Sequence, residues 1–227
     1  YFSLPRGATR KFAIACLFGR NFDDILRNKR TMQKIYDADY SFAKPPNKSR
    51  LTAVQGDQSA VLMWDNVAEF SRDPIYGTDF EGYMIYRATD PSFNSIKTIT
   101  DAFGNPILWQ PIAQFDLDNG LKGPHPVQIG ETGAVFNTGT DSGLRYYYKD
   151  TGLDNGRSYY YALVPYDAGY DLDFFDRGIS TRDKLTPISP SEASKIIQTD
   201  LIGNVTYVDK NTAVVVPNAA AAGVLIG

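Results

Sequence analysis

Leu153-Asp154-Asn155-Gly156-Arg157-Ser158-Tyr159-Tyr160-Tyr161-Ala162-Leu163-Val164-Pro165-Tyr166 joins a turn to an aromatic, apolar run, and the architecture follows from that junction. Asp154, Asn155 and Gly156 are turn residues, and the aromatic, apolar run that follows has strand composition. Successive strand side chains point to opposite faces, which sets Tyr159, Tyr161 and Leu163 on one side and Tyr160 on the other.

Strand signals of the same kind precede this one, at 50–55, 59–65, 80–88, 106–115 and 144–149. Gly, Asp, Asn and Pro clusters separate them and no helical period intervenes, so an antiparallel β-sandwich is expected. Two insertions are long for a small sandwich, 66–79 and 89–143. Ordered loops on a rigid frame are common places for binding. Residues 191–199 suggest the last strand of the module.

Trp64 on the second strand, Tyr83 and Ile85 on the third, and Leu153 six residues before Tyr159 are similar to the corresponding positions of fibronectin type III domains. The resemblance implies an immunoglobulin-like sandwich with Trp64, Tyr83, Ile85, Leu153, Tyr159, Tyr161 and Leu163 as core residues. It also implies a tyrosine corner, the Tyr159 hydroxyl bonding back to upstream backbone. Trp64-Asp65-Asn66-Val67-Ala68-Glu69, Ser71-Arg72-Asp73-Pro74 and Asp79-Phe80-Glu81-Gly82-Tyr83 with Arg87 resemble a subgroup found in large secreted proteins of Bacteroidetes- and Ignavibacteria-like bacteria. Val215-Val216-Pro217-Asn218 resembles the start of the segment that leads into their type IX sorting domain, and Ala219 to Ala222 departs from it. The resemblance implies an extracellular or cell-surface location and a structural role in spacing, adhesion or assembly.

The N-terminal region reads differently. Residues 10–18 alternate as a buried strand, which would bury Cys16, the chain's one cysteine. Gly19 ends it, and Asn21 is placed to cap a helix with Asp23 and Asp24 in its first turn. A strand and a helix do not close a core alone, so residues 1–44 read as the end of a preceding β unit. Residues 45–50 read as a proline-stiffened linker, 51–203 as the sandwich, and 204–227 as a C-terminal strand or linker. The expected partners are adjacent domains or identical subunits, meeting the module through residues 1–40 and 204–227. A strand left with a bare edge invites pairing with another chain, and a head-to-tail filament is one form this takes. Pairing with neighbouring domains of one longer polypeptide is the other.

Charge agrees with an end-to-end arrangement. Residues 1–50 hold eleven Lys/Arg against four acids, and the remainder twelve against twenty-two. Opposite poles of neighbouring copies attract. The basic residues carry no nucleic-acid reading motif, so no nucleic-acid partner is expected. No run nears the roughly 18 apolar residues of a membrane helix, so no membrane span is expected.

Catalytic signals are sparse. His125, the only histidine, sits in Gly-Pro-His-Pro and reads as a solvated loop residue. One His and one Cys do not make a zinc site of the usual kind, and there is no phosphate loop. No enzyme activity and no organic cofactor are expected. Asp167, Asp171, Asp173 and Asp176 cluster in one loop whose simpler reading is a solvated, turn-rich loop and whose sharper reading is a structural Ca²⁺ site. Asp116-Leu117-Asp118-Asn119-Gly120 is a shorter candidate of the same kind. Tyr146 to Tyr148 and Tyr159 to Tyr161 offer an aromatic surface for a glycan, with Tyr147 and Tyr160 facing outward. A carbohydrate-binding accessory module of a secreted hydrolase, using these tyrosines or the 89–143 loops, is therefore the alternative reading.

Overall fold

The computed structural model describes residues 5–7, 9, 14–37, 43–130 and 132–219. The chain divides into two compact units, Tyr1–Phe42 and Ala43–Gly227.

In the first unit, helix α1 spans Phe22–Asp37. Asn21 caps it as expected, its side-chain oxygen accepting the Asp24 N–H at 2.9 Å. Asp24 reaches back to accept the Arg20 N–H at 3.0 Å, and Asn28 donates to the Phe18 carbonyl at 2.8 Å. Of the expected strand over 10–18, residues 10–13 lie outside the described residues. Residues 14–18 form no ladder. With no sheet there is no inner face, and Cys16 is exposed rather than buried.

The second unit is a mainly β, antiparallel sandwich. Its elements are β1 (Leu51–Gly56), β2 (Ser59–Trp64), β3 (Phe80–Ala88), β4 (Ile99–Thr100), β5 (Pro106–Leu108), β6 (Ala113–Asp116), β7 (Pro124–Gln128), β8 (Val135–Asn137), β9 (Tyr147–Thr151), β10 (Tyr159–Asp167), β11 (Ile197–Thr199), β12 (Val205–Val208) and β13 (Thr212–Val215). One sheet has the order β1-β2-β9 and faces a four-stranded sheet of order β13-β10-β3-β6. Leu163 stands opposite Ile85, and Tyr83 opposite Phe115. The period of two therefore brings Tyr83, Ile85, Tyr161 and Leu163 to the space between the sheets. There they meet Leu51, Leu62 and Trp64, with Leu153 and Tyr159 completing the cluster. The Trp64 ring packs 6.1 Å from Phe115 and 6.0 Å from Tyr83. Tyr159 accepts the Asp154 N–H at 2.9 Å, the expected bond back to upstream backbone.

The opposite face of the four-stranded sheet is buried too. Met84, Tyr86, Ala162, Val164 and Tyr166 pack there against Phe93, Phe136 and Ala193. The 89–143 insertion, with its hairpins β4–β5 and β7–β8, supplies part of that cover. An outer face this apolar requires covering, because exposed Met84, Val164 and Ala162 would each forgo their burial energy. A third cluster gathers Tyr76, Leu121, Tyr170 and Phe174.

Two expectations about boundaries are corrected. Residues 45–50 are not a free linker: Pro46 and Ser49 are buried, and Ser49 accepts the Ala68 N–H at 3.3 Å. Asn47 donates to Ser71 at 2.7 Å, and Lys48 pairs with Asp209. Nor does residue 204 begin an unpaired tail. Residues 197–199 form a separate hairpin with 205–208, and the last strand of the sandwich is β13, with Val215 opposite Tyr159. The open edge of β10 takes this strand because Val215 then falls on the core face. Residues 220–227 lie outside the described residues.

Candidate functional site

Among the described residues of the first unit, several large apolar side chains are exposed. Ile14 is 94% exposed, Phe18 86% and Phe22 71%. Beside them a groove of about 410 Å³ runs between residues 14–17 and the helix, floored by Leu17 and Met32 and edged by Lys29. The helix is long enough to order these side chains, and its capping fixes where the chain enters it. Arg27 makes an ion pair with Asp24.

The second unit carries an exposed apolar element of another shape. Between β11 and β12 the tip residues Leu201 and Ile202 stand fully or almost fully in solvent. Asp200 organises this tip by accepting the Ile202 N–H at 3.0 Å and the Asn204 N–H at 2.8 Å. The tip is thus a built turn with two aliphatic side chains at its apex.

The structure does not gather the expected calcium ligands. Asp167 is buried, and its carboxylate accepts the Gly169 and Ser191 N–H groups at 2.9 Å each, and the Ser191 hydroxyl. Asp173 faces Arg177 at 3.6 Å, and Asp176 is exposed. Asp171 is partly buried on the turn that seats Phe174 in the third cluster. Among the described residues no three His, Cys, Asp or Glu converge as a metal site. The second candidate is also spoken for. Asp116 accepts the Thr140, Asp141 and Ser142 N–H groups at 2.6–3.1 Å, so its oxygens pin the 140–142 loop.

His125 is not solvated. It is 1% exposed, its Nδ1 accepts the Val127 N–H at 3.0 Å, and its ring meets Phe174 edge-on at 5.6 Å. Burial holds its pKa below the ordinary value. The tyrosine platform does not form as a whole. Tyr147 faces out as expected, but Tyr160 is half-buried against the outer cluster and Tyr148 packs on Phe115. Tyr146 is exposed.

Sequence reading missed a set of buried acids. Burial, then the Asp167 and Asp73 carboxylates, push Asp79 up to about 8. Burial pushes Glu81 up to about 8 against the opposing Asn119 hydrogen bond, with Asp116 and Asp141 adding to the rise. Asp167 rises to about 6, mainly through burial. Glu81 and Asp167 belong to aromatic, apolar strands, and only long-range packing reveals how far these acids are withdrawn from water. No family model, no curated protein and no solved structure matches this chain.

Proposed function

We propose that this chain is a non-catalytic structural and interaction module, fibronectin type III-like in build, of a secreted or surface-exposed bacterial protein. It acts in spacing, adhesion or assembly by joining a neighbouring copy end to end. The observation that carries the reading is the first unit's exposed apolar surface, Ile14, Phe18 and Phe22 beside the groove over Leu17 and Met32. An apolar surface of that kind marks an interaction site. The occupant assigned to it is the β11–β12 tip of a second copy, whose Leu201 and Ile202 are a matching pair of aliphatic knobs. Charge supports this pairing. The groove lies in a segment with eleven Lys/Arg against four acids, and the tip in a remainder with twelve against twenty-two.

Sedimentation velocity on the full chain over a concentration series tests the reading. Wild type is expected to form species larger than a monomer, more so at low salt. The double variant Leu201→Asp/Ile202→Asp and the groove variant Met32→Glu are each expected to sediment as monomers. A wild-type chain that stays monomeric at its highest soluble concentration would overturn assembly between copies.

A further inference from the structure

The cover on the outer face of the four-stranded sheet is incomplete. Above Met84 and Tyr86, between the β4–β5 and β7–β8 hairpins, lies a cavity of about 340 Å³. Its walls include the rings of Pro111 and Pro124 and the branched side chains of Ile99, Leu108 and Val135. It has the form of a ligand site: mostly apolar walls with a few convergent polar groups.

Those polar groups are of three kinds. Trp109 lines the cavity, and among the described residues its buried indole N–H has no hydrogen-bond acceptor. A buried donor left unmade costs roughly 1–3 kcal/mol, so it calls for a partner. Gln114 and Asn137 contribute amides, and Gln114 is locked in place by donating to the Asn137 carbonyl at 3.0 Å and the Tyr166 hydroxyl at 2.8 Å. Glu192 supplies a carboxylate that accepts the Tyr86 hydroxyl at 2.6 Å. The Lys195 ammonium lies 3.8 Å from that carboxylate, 3.4 Å from the centre of the Trp109 ring and 4.6 Å from that of Tyr86.

This arrangement restricts the ligand. Glu192 and Lys195 balance each other, and the Lys97 ammonium, 5.0 Å from the Trp109 ring centre, is a further charge beside that ring. Donors and acceptors stand side by side, which suits groups that both give and take hydrogen bonds, as hydroxyls do. Proline rings and aliphatic walls suit a ligand that also has apolar C–H faces. A pyranose ring has both properties, and the volume accommodates one or two such rings.

We propose that the cavity between the inserted hairpins is a saccharide-binding site, in which the Trp109 indole N–H donates to a sugar oxygen and Gln114, Asn137 and Glu192 bond its hydroxyls. The site is separate from the assembly elements, and binding is read independently of sedimentation.

The test is isothermal titration together with tryptophan fluorescence of the full chain, using cellobiose, maltose, lactose and chitobiose as ligands. The chain has two tryptophans, and Trp64 is enclosed in the inner core, so a ligand-dependent change reports Trp109. At least one disaccharide is expected to give a saturable response with a dissociation constant of about 1 mM or tighter. Trp109→Phe keeps an aromatic ring but removes the five-membered ring with its N–H, and is expected to weaken binding by about tenfold or more, read by calorimetry. Val135→Trp fills the cavity from its exposed rim and is expected to abolish binding with the melting temperature retained. If Trp109→Phe fails to fold, Val135→Trp decides alone. No saturable response from any of the four sugars overturns the proposal, as does binding that survives Val135→Trp.

Discussion

Arg87 and Asp150 join the two sheets of the sandwich: the guanidinium Nη1 lies 2.9 Å from each carboxylate oxygen. Arg87 belongs to β3 of the four-stranded sheet and Asp150 to β9 of the three-stranded one. Tyr161 adds its hydroxyl to the same carboxylate at 2.7 Å. Asp150→Ala strips the partly exposed Arg87 guanidinium and the buried Tyr161 hydroxyl of their acceptor at once. The expected loss is about 2–3 kcal/mol, measured by urea unfolding. Arg87→Met, which removes the cation but keeps much of its volume, is expected to cost less.

The tyrosine corner predicts a smaller and separable effect. Tyr159→Phe leaves the ring in the core and deletes only the acceptor of the Asp154 N–H. A loss of about 1 kcal/mol is expected in the same unfolding assay, without change in the slope against urea.

Gly82 has no space for a side chain. A Cβ there would stand 2.5 Å from the Phe115 carbonyl oxygen and 2.8 Å from the Tyr166 hydroxyl. Gly82→Ala is therefore expected to push β3 and β6 apart and to destabilise by about 1–3 kcal/mol.

Stability is expected to fall as pH rises from about 4 to about 8. Asp79 and Glu81 hold their protons up to about 8 in the folded chain. Unfolded, both release them near pH ~4. Across that window the folded state binds more protons, so the slope of unfolding free energy with pH is negative. Glu81→Gln, which cannot ionise, is expected to flatten the slope and raise stability at pH 8. Urea midpoints at pH 5 and pH 8 for both chains check this.

Cys16 provides a chemical reporter on assembly. Its thiol is exposed beside Ala15 and Leu17 of the groove wall. It is expected to react with a thiol reagent in the native monomer and to be protected once copies associate. Leu201→Asp/Ile202→Asp is expected to abolish that protection.

Much of the sandwich is legible in the sequence because its signal is local. The aromatic and apolar runs Phe80–Ala88 and Tyr159–Asp167 are each contained within one strand, and turn residues sit beside them. Where the deciding contact is distant, the reading goes astray. Val215 needs Tyr159 as its neighbour before β13 reads as a sheet strand rather than a tail. His125, between prolines, has the local character of a loop, and only Phe174 and the third cluster bury it. The cavity beneath the inserted hairpins is least legible of all. Trp109, Gln114, Asn137 and Glu192 come from four separate segments, and none of them belongs to a spaced motif.

The manner in which the module starts and finishes bears on how it carries load. The Leu51 N–H bonds the Lys210 carbonyl at 2.8 Å, and the Asn218 N–H bonds the Gly56 carbonyl at 3.3 Å. The first strand and the closing segment therefore run side by side in the same direction. Tension entering at Leu51 and leaving past Asn218 would pull these two segments in shear along their length. Bonds loaded this way share the force, whereas bonds at a splayed end yield one after another. A pull applied at these two points would therefore meet a clamp where it arrives.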